Sequence, residues 1–468
     1  MKRMNGPKLR LAGGAFLAAV LGVWTFNLPT RSAWAQDGGG KNQPPKGDPK
    51  GDEKKKQDEA LQAAKDKAKD QNKPAPKKEP PPRREWPIHS KQPIPIKGWG
   101  PARRDAFNSM EADRAEVDPV VVKIGALYFL SRFTDPAEEK NLDQIHRQLR
   151  NFARERKNNF QTAFKEAYIN GMKTFLLEED RKLAQVPVYN ILLGLKELNT
   201  LTQGQGDGGV DVLIGFLAKH EWWSDGSLAV AMDALASAKK QGFAKPAQEM
   251  RGADVILKIA DSRESLQPIF HEKICETLGV LAFPFRGAVP ERSEVATYLA
   301  RVAAAKTGKD NKFKFEPRVR FEAAIALGNQ DYSSRIRGFD ASVQAFVFAQ
   351  TFQSFLEWVS AEKGKTKPEF DAATFKHLAA RFGHSAAVMA AQADQAQPAV
   401  AVNKERARSL LKDVIASATL IIDGREPDPD AIAEWIKANP PNNPQWRLNQ
   451  QAEALQPGAP GNAAANRN

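Results

Sequence analysis

The sequence predicts an all-α chain, an α-solenoid of stacked helix pairs. An export signal and a Lys/Pro-rich linker precede it, and a disordered tail follows. Three observations predict this. From residue 101 onward apolar residues return at helical spacing in one segment after another. Strand patterns are nearly absent: PVVVKIGALYFL (119–130) comes nearest to one, and its length and its Gly125-Ala126-Leu127 favour a helix. The stretch EPRVRFEAAIALGNQ (316–330) combines a large apolar surface with little side-chain bulk.

In chain order, MKRMNGPKLR opens with four positive charges and no acid, LAGGAFLAAVLGVW is apolar and uncharged, and Ala33-Trp34-Ala35 follows Pro29. This is the pattern of a secretory signal peptide over 1–35, cleaved after Ala35 so that the mature chain begins at Gln36. The alternative, an uncleaved N-terminal membrane anchor, needs about 20 apolar residues, and the run reaches that only by taking in Asn27 and Pro29. After cleavage no membrane span is expected, and the location is periplasmic or secreted. Residues 36–100 are rich in Lys, Pro, Gln and Asp, too poor in apolar area to offset the entropy of ordering, and read as a disordered linker. Its last part, WPIHSKQPIPIKGWGP, reads as an extended polyproline-type strip that Trp86 and Trp99 dock onto the folded part.

Between 101 and 440 the spacing predicts helices near 102–114, 119–133, 138–156, 158–181, 187–201, 209–220, 227–240, 247–260, 268–281, 292–306, 317–328, 341–362, 370–393, 404–422 and 428–438. Asp118-Pro119 and Glu316-Pro317 place proline at a first helical position, where its missing N–H costs nothing. Ser227 and Asn403 are expected as N-caps. Residues 441–468, with Pro, Asn, Gln and Gly recurring, read as the disordered tail.

In 316–330, Val319, Ala323, Ala326 and Leu327 share one face, and Phe321, Ile325 and Gly328 share a second. A helix apolar on two flanks has neighbours on both, and its small residues let them come close. Arg318, Arg320 and Glu322 take the remaining side. Pro317, Val319-Arg320, Ala323-Ala324 and Leu327-Gly328 resemble the first helix of a HEAT repeat, of the armadillo type. ETLGVL (276–281), NILLGL (190–195) and KIGALYFL (123–130) are weaker echoes. The resemblance covers about 185–335 and implies stacked helix pairs that serve as a binding surface, with a protein partner and no catalysis.

Charge and chemistry narrow the function. The chain is +13 overall, but residues 105–468 hold 46 basic and 46 acidic side chains, so the excess lies in the signal and linker. A nucleic-acid binder carries positive charge on its folded surface, which argues against that partner. The single cysteine, Cys275, sits in an amphipathic pattern and is expected to be buried. The six histidines form no His-Glu-x-x-His; His377 and His384 lie two helical turns apart, too far to share a metal. No haem motif, nucleophile elbow or phosphate loop occurs, and neither cofactor nor metal is expected. TQGQGDGGVD (202–211) is glycine-rich but lacks the following Lys-Ser/Thr, and reads as an inter-helix loop.

Two stretches remain as binding candidates. AAKTGKDNKFKFEPRVR (304–320) is the basic cluster of the folded part, with Lys306, Lys309, Lys312, Lys314, Arg318 and Arg320 around Phe313 and Phe315. Cations with interleaved rings suit single-stranded nucleic acid or an anionic polymer; the simpler reading is a solvated loop with its phenylalanines in the core. HEWWSDGSL (220–228) puts Trp222 and Trp223 at a turn. Adjacent rings there cannot both enter one core, so Trp223 is expected inside and Trp222 at a contact surface. The reading that follows is a non-enzymatic exported scaffold for protein–protein interaction in the cell envelope. A polymer-binding module is the alternative, and an enzyme with a dispersed site is the third reading.

Overall fold

The computed structural model describes residues 87–112, 115–154, 158–178, 183–202, 207–262, 267–283, 294–307, 312–313, 315–330, 341–366, 370–395 and 404–441. The chain divides at Arg83, and all the described residues lie in the second unit, Arg84–Asn468. The expected signal with Ala33 and Ala35, the expected linker up to Trp86, Asn403, and residues 442–468 lie outside the described residues.

The described part is all-helical. Its α-helices are α1 (Pro101–Glu111), α2 (Pro119–Arg132), α3 (Leu142–Arg154), α4 (Asn158–Leu177), α5 (Gln185–Leu201), α6 (Val210–Ala218), α7 (Asp225–Lys240) and α8 (Pro246–Ser262). They continue with α9 (Pro268–Leu281), α10 (Glu294–Ala304), α11 (Pro317–Gly328), α12 (Ala341–Lys363), α13 (Ala372–Gln395), α14 (Lys404–Ile422) and α15 (Asp430–Ala438). Two 3-10 turns, Pro136–Asn141 and His220–Trp222, and a two-residue antiparallel ladder, β1 (Lys306–Thr307) with β2 (Lys312–Phe313), complete the described elements.

Local chemistry accounts for the helix starts. Proline opens α1, α2, α8, α9 and α11. The Asp118 carboxylate accepts from the Val120 and Val121 N–H groups at the head of α2. At α7 the cap is Ser224, three residues before the expected Ser227: Ser224 has extended backbone and its hydroxyl accepts from the Ser227 N–H, while Ser227 is buried in the first turn. The helix expected over 138–156 begins as a 3-10 turn led by Pro136 and becomes α-helical at Leu142. The helix expected to reach 181 stops at Leu177.

The helices pack with a regular offset. α2 packs on α4, α4 on α6 and α6 on α8. Beside them α3 packs on α5, and the same step continues through α7, α9, α11 and α13. α10, α12 and α14 follow this step as well. Cross-packing of α4 on α5, α6 on α7, α8 on α9 and α10 on α11 joins the rows, and the core lies between them.

α11 is buried from Val319 to Gly328, with α9, α10, α12 and α13 all packed against it. This corrects the exposure expected of Arg320 as a binding residue, and Glu322 is covered with it. Arg320 is buried and its Nε donates to the Ala303 carbonyl at 3.0 Å; Glu322 is buried and accepts from Arg381. Small residues permit the crowding. A Cβ on Gly279 of α9 would lie 2.8 Å from both the Cα and the Cβ of Ala326, a distance at which no side chain fits.

The strip before α1 belongs to the helical body from Pro87 onward. Trp99 stacks on Tyr128 at 4.6 Å between centroids and meets Phe107 edge-on. The Ile94 N–H donates to Thr134 Oγ1 at 2.9 Å. The Pro87 and Ile88 carbonyls accept from the N–H groups of Gln185 and Val186, both at 3.0 Å. Ala184 gives the head of α5 no side-chain cap, so a distant segment serves it.

Candidate functional site

Charged side chains on successive helices of the α3–α13 row meet in a ladder. Between α3 and α5, Arg150 pairs with Glu197 at 2.7 Å, and His146 Nδ1 lies 3.0 Å from the same carboxylate. Between α5 and α7, Lys196 pairs with Asp233 at 2.5 Å. From α9, Lys273 reaches the other Asp233 oxygen at 2.7 Å and also holds Glu276. Arg318 of α11 pairs with Glu272 of α9 at 3.2 Å, and Arg381 of α13 pairs with Glu322 of α11. Each link joins a helix to the one two places on.

The charges tune one another. Burial acts to raise the Asp233 carboxyl, but hydrogen bonds from Lys196 and Lys273 outweigh it and hold the carboxyl below its usual range. Burial acts to lower the Lys273 ammonium, but Asp233 and Glu276 keep it above its usual value. At Glu272 burial prevails, and the carboxyl stands above its usual range despite Arg318. Half-buried pairs of this kind fix how helices register more than they add stability.

An apolar band lies beside the ladder. Tyr189 is two turns before Lys196 on α5, and Ile269 is one turn before Lys273 on α9, so each shares the ladder face of its helix. Tyr189 is 45% exposed and Ile269 71%, two of the few large apolar side chains left open to solvent among the described residues. Between them, one turn before Asp233, α7 presents the half-buried Ala229 and Val230.

The sequence-derived candidates are placed differently. Trp223 is buried and stacks on Phe216 at 4.6 Å. Trp222 is half-buried, with Lys219 Nζ 4.3 Å from its ring centroid, and that ammonium also donates to the Leu177 carbonyl. Lys309 and Lys314 lie outside the described residues, and Lys312 falls in β2. Arg318 is committed to Glu272 and lies 5.5 Å from the Phe370 ring. Arg320 is buried inside the packing, so it is no part of an exposed basic face; burial brings its guanidinium down to about 10, still charged at neutral pH. Phe315 is half-buried against the core, edge-on to His271.

The glycine-rich loop before α6 has a structural explanation. A Cβ on Gly208 would fall 2.4 Å from Phe243, and Gly209 caps α6 at φ +66°, a conformation that favours glycine. Beside Thr202, Lys165 of α4 is 1% exposed. Its ammonium donates to Thr202 Oγ1 at 2.8 Å and sits 3.6 Å from the centre of the Phe243 ring. Burial lowers this lysine to about 8, against the attraction of Asp207.

Cys275 is fully buried, and burial pushes its thiol well above the usual range. Among the described residues no three His, Cys, Asp or Glu side chains form a group that could hold a metal ion, and no helix is long and apolar enough to cross a membrane.

Neither the ladder nor the buried lysine was visible to sequence reasoning. The available signal was weak: basic and acidic residues at like positions of alternate helices, such as Lys196, Asp233 and Lys273. Compared with protein-family models, curated proteins and solved structures, the chain matches none of them.

Proposed function

We propose that the chain is a non-enzymatic, exported scaffold of HEAT-like stacked helix pairs that binds a protein partner in the cell envelope through the ladder face of α5, α7 and α9. The single observation that carries the reading is that face: exposed Tyr189 and Ile269 flank Ala229 and Val230, beside the fixed charges of Lys196, Asp233 and Lys273. An aromatic and an aliphatic anchor rimmed by charge is the composition of a protein interface. The step-by-two packing of the helices supports the solenoid reading, since it repeats one neighbour relation along the chain. Export rests on the 1–35 pattern, and N-terminal sequencing of the mature protein is expected to start at Gln36; a start at Met1 in membranes makes the segment an anchor.

The polymer-binding alternative has lost two of its residues, since Arg318 is paired and Arg320 is buried. A photo-crosslinking residue placed at Tyr189 or Ile269 in the native host tests the scaffold reading. The expected product is a defined adduct with another protein, lost when Ile269→Asp is combined with the probe at Tyr189. No protein adduct at either position overturns the reading.

A further inference from the structure

A groove of about 910 Å³ lies between the strip residues Ile94–Lys97 and the helices α2 and α4. Its volume is at the upper end for a ligand cleft, about 300–1,000 Å³. The groove follows from the α4 sequence. Ala163 and Ala167 lie four residues apart on one side of the helix, too short to fill the space towards the strip, while Gly171 lets Leu130 of α2 come close. Ile94, Ile96 and Leu127 make apolar walls. The strip is held in place by the Thr134 hydroxyl and by Trp99 on Tyr128.

The rim carries an excess of positive charge. Lys97 from the strip, Lys123 from α2 and Lys173 from α4 line it, all exposed, against the single carboxylate of Glu166. Among the described residues none of these three ammonium groups has an ion-pair partner. Elsewhere charges meet partners: Arg132 at the end of α2 pairs with Glu138, and the ladder residues pair with one another. Residues 105–468 are neutral overall and Lys97 belongs to the basic segment before them, so the rim's excess arises where that segment meets α2 and α4.

We propose that the groove binds an extended acidic peptide of a partner protein, with an aliphatic side chain on the floor of Ala163 and Ala167 and flanking carboxylates on Lys97, Lys123 and Lys173. Charge complementarity selects an acidic occupant. The apolar floor selects a peptide over a phosphate or sulfate polymer, which has no side chain to seat there. The groove is separate from the ladder face, and either assignment can fail without the other.

The test is fluorescence anisotropy on the full mature chain. The probe is a fluorescein-labelled peptide with one leucine flanked on each side by three glutamates. Saturable binding is expected, weakened at least about tenfold by K97E/K123E/K173E and about tenfold by leucine-to-serine in the peptide. The exposed triple K240E/K376E/K437E, remote in sequence from the groove, is expected to leave binding unchanged. Absence of binding overturns the proposal, as does an equal loss in the two triple variants. Equal binding of the serine peptide, or equal competition by inorganic polyphosphate, makes the lysines a plain anion site and also overturns it.

Discussion

Lys165 offers the sharpest quantitative test. Its ammonium is shut in by Thr202, the Phe243 ring and the loop carrying Asp207, and burial brings it from an ordinary 10.5 to about 8. At about 1.4 kcal/mol per pH unit, the folded protein gives up about 3 kcal/mol at neutral pH to keep this lysine charged. The sign follows from proton counts. Between about pH 8 and about pH 10.5 the unfolded chain holds this proton and the folded chain has released it, so stability rises with pH across that window. Lys165→Met removes the effect while keeping the side-chain length. Urea denaturation of both proteins, followed by far-UV circular dichroism from about pH 7 to about pH 10.5, gives the difference between them and cancels the other titrating groups. The wild type is expected to gain about 3 kcal/mol on the variant over that range. A difference that stays flat within about 0.5 kcal/mol refutes the reasoning, because it means that the ammonium is solvated or paired as well as in water.

Other perturbations read the packing and the surface. Gly279→Ala places a Cβ against the Ala326 backbone and is expected to cost about 1–3 kcal/mol in thermal or urea unfolding, as is Ala326→Leu from the other side. Gly226→Ala on α7 meets nothing within 4 Å, and is expected to be neutral or stabilising by up to about 1 kcal/mol. Asp233→Ala leaves Lys196 and Lys273 facing each other and is expected to cost about 1 kcal/mol, with a double-mutant cycle against Lys273→Ala showing coupling; zero coupling breaks the ladder at that link. In single-Trp variants, acrylamide is expected to quench Trp222 and spare Trp223; equal shielding of both removes Trp222 as a contact residue.

The helices were legible because apolar periodicity and helix-opening prolines are local signals. The stretch 316–330 shows this well: its small residues and two apolar flanks announced a helix packed on both sides, and α11 is one. The same stretch shows where local reading ends. Arg320 reads as a binding residue because charge is normally solvated, but the end of α10 gives it the Ala303 carbonyl, and α13 gives Glu322 the Arg381 guanidinium. Those partners are distant in sequence and carry no signature of their own. The ladder was hidden for the same reason: Lys196, Asp233 and Lys273 mean little until α5, α7 and α9 lie side by side. The groove floor was hidden too, because the strip that leaves Ala163 and Ala167 facing a groove lies far upstream. Ser227 was taken for the cap because Ser224 follows two tryptophans whose turn geometry the pattern does not specify.

The head of α5 has a consequence for the order of events during synthesis. Its first two donors are met by the carbonyls of Pro87 and Ile88, a segment that leaves the ribosome well before the helix it serves. The acceptors are therefore already made when α5 emerges, and the helix need not wait for any later part of the chain to complete its start. The dependence runs one way. A fragment begun at residue 101 contains every α-helix of the described residues and still lacks the two oxygens that close the end of α5, so it leaves those two donors to water.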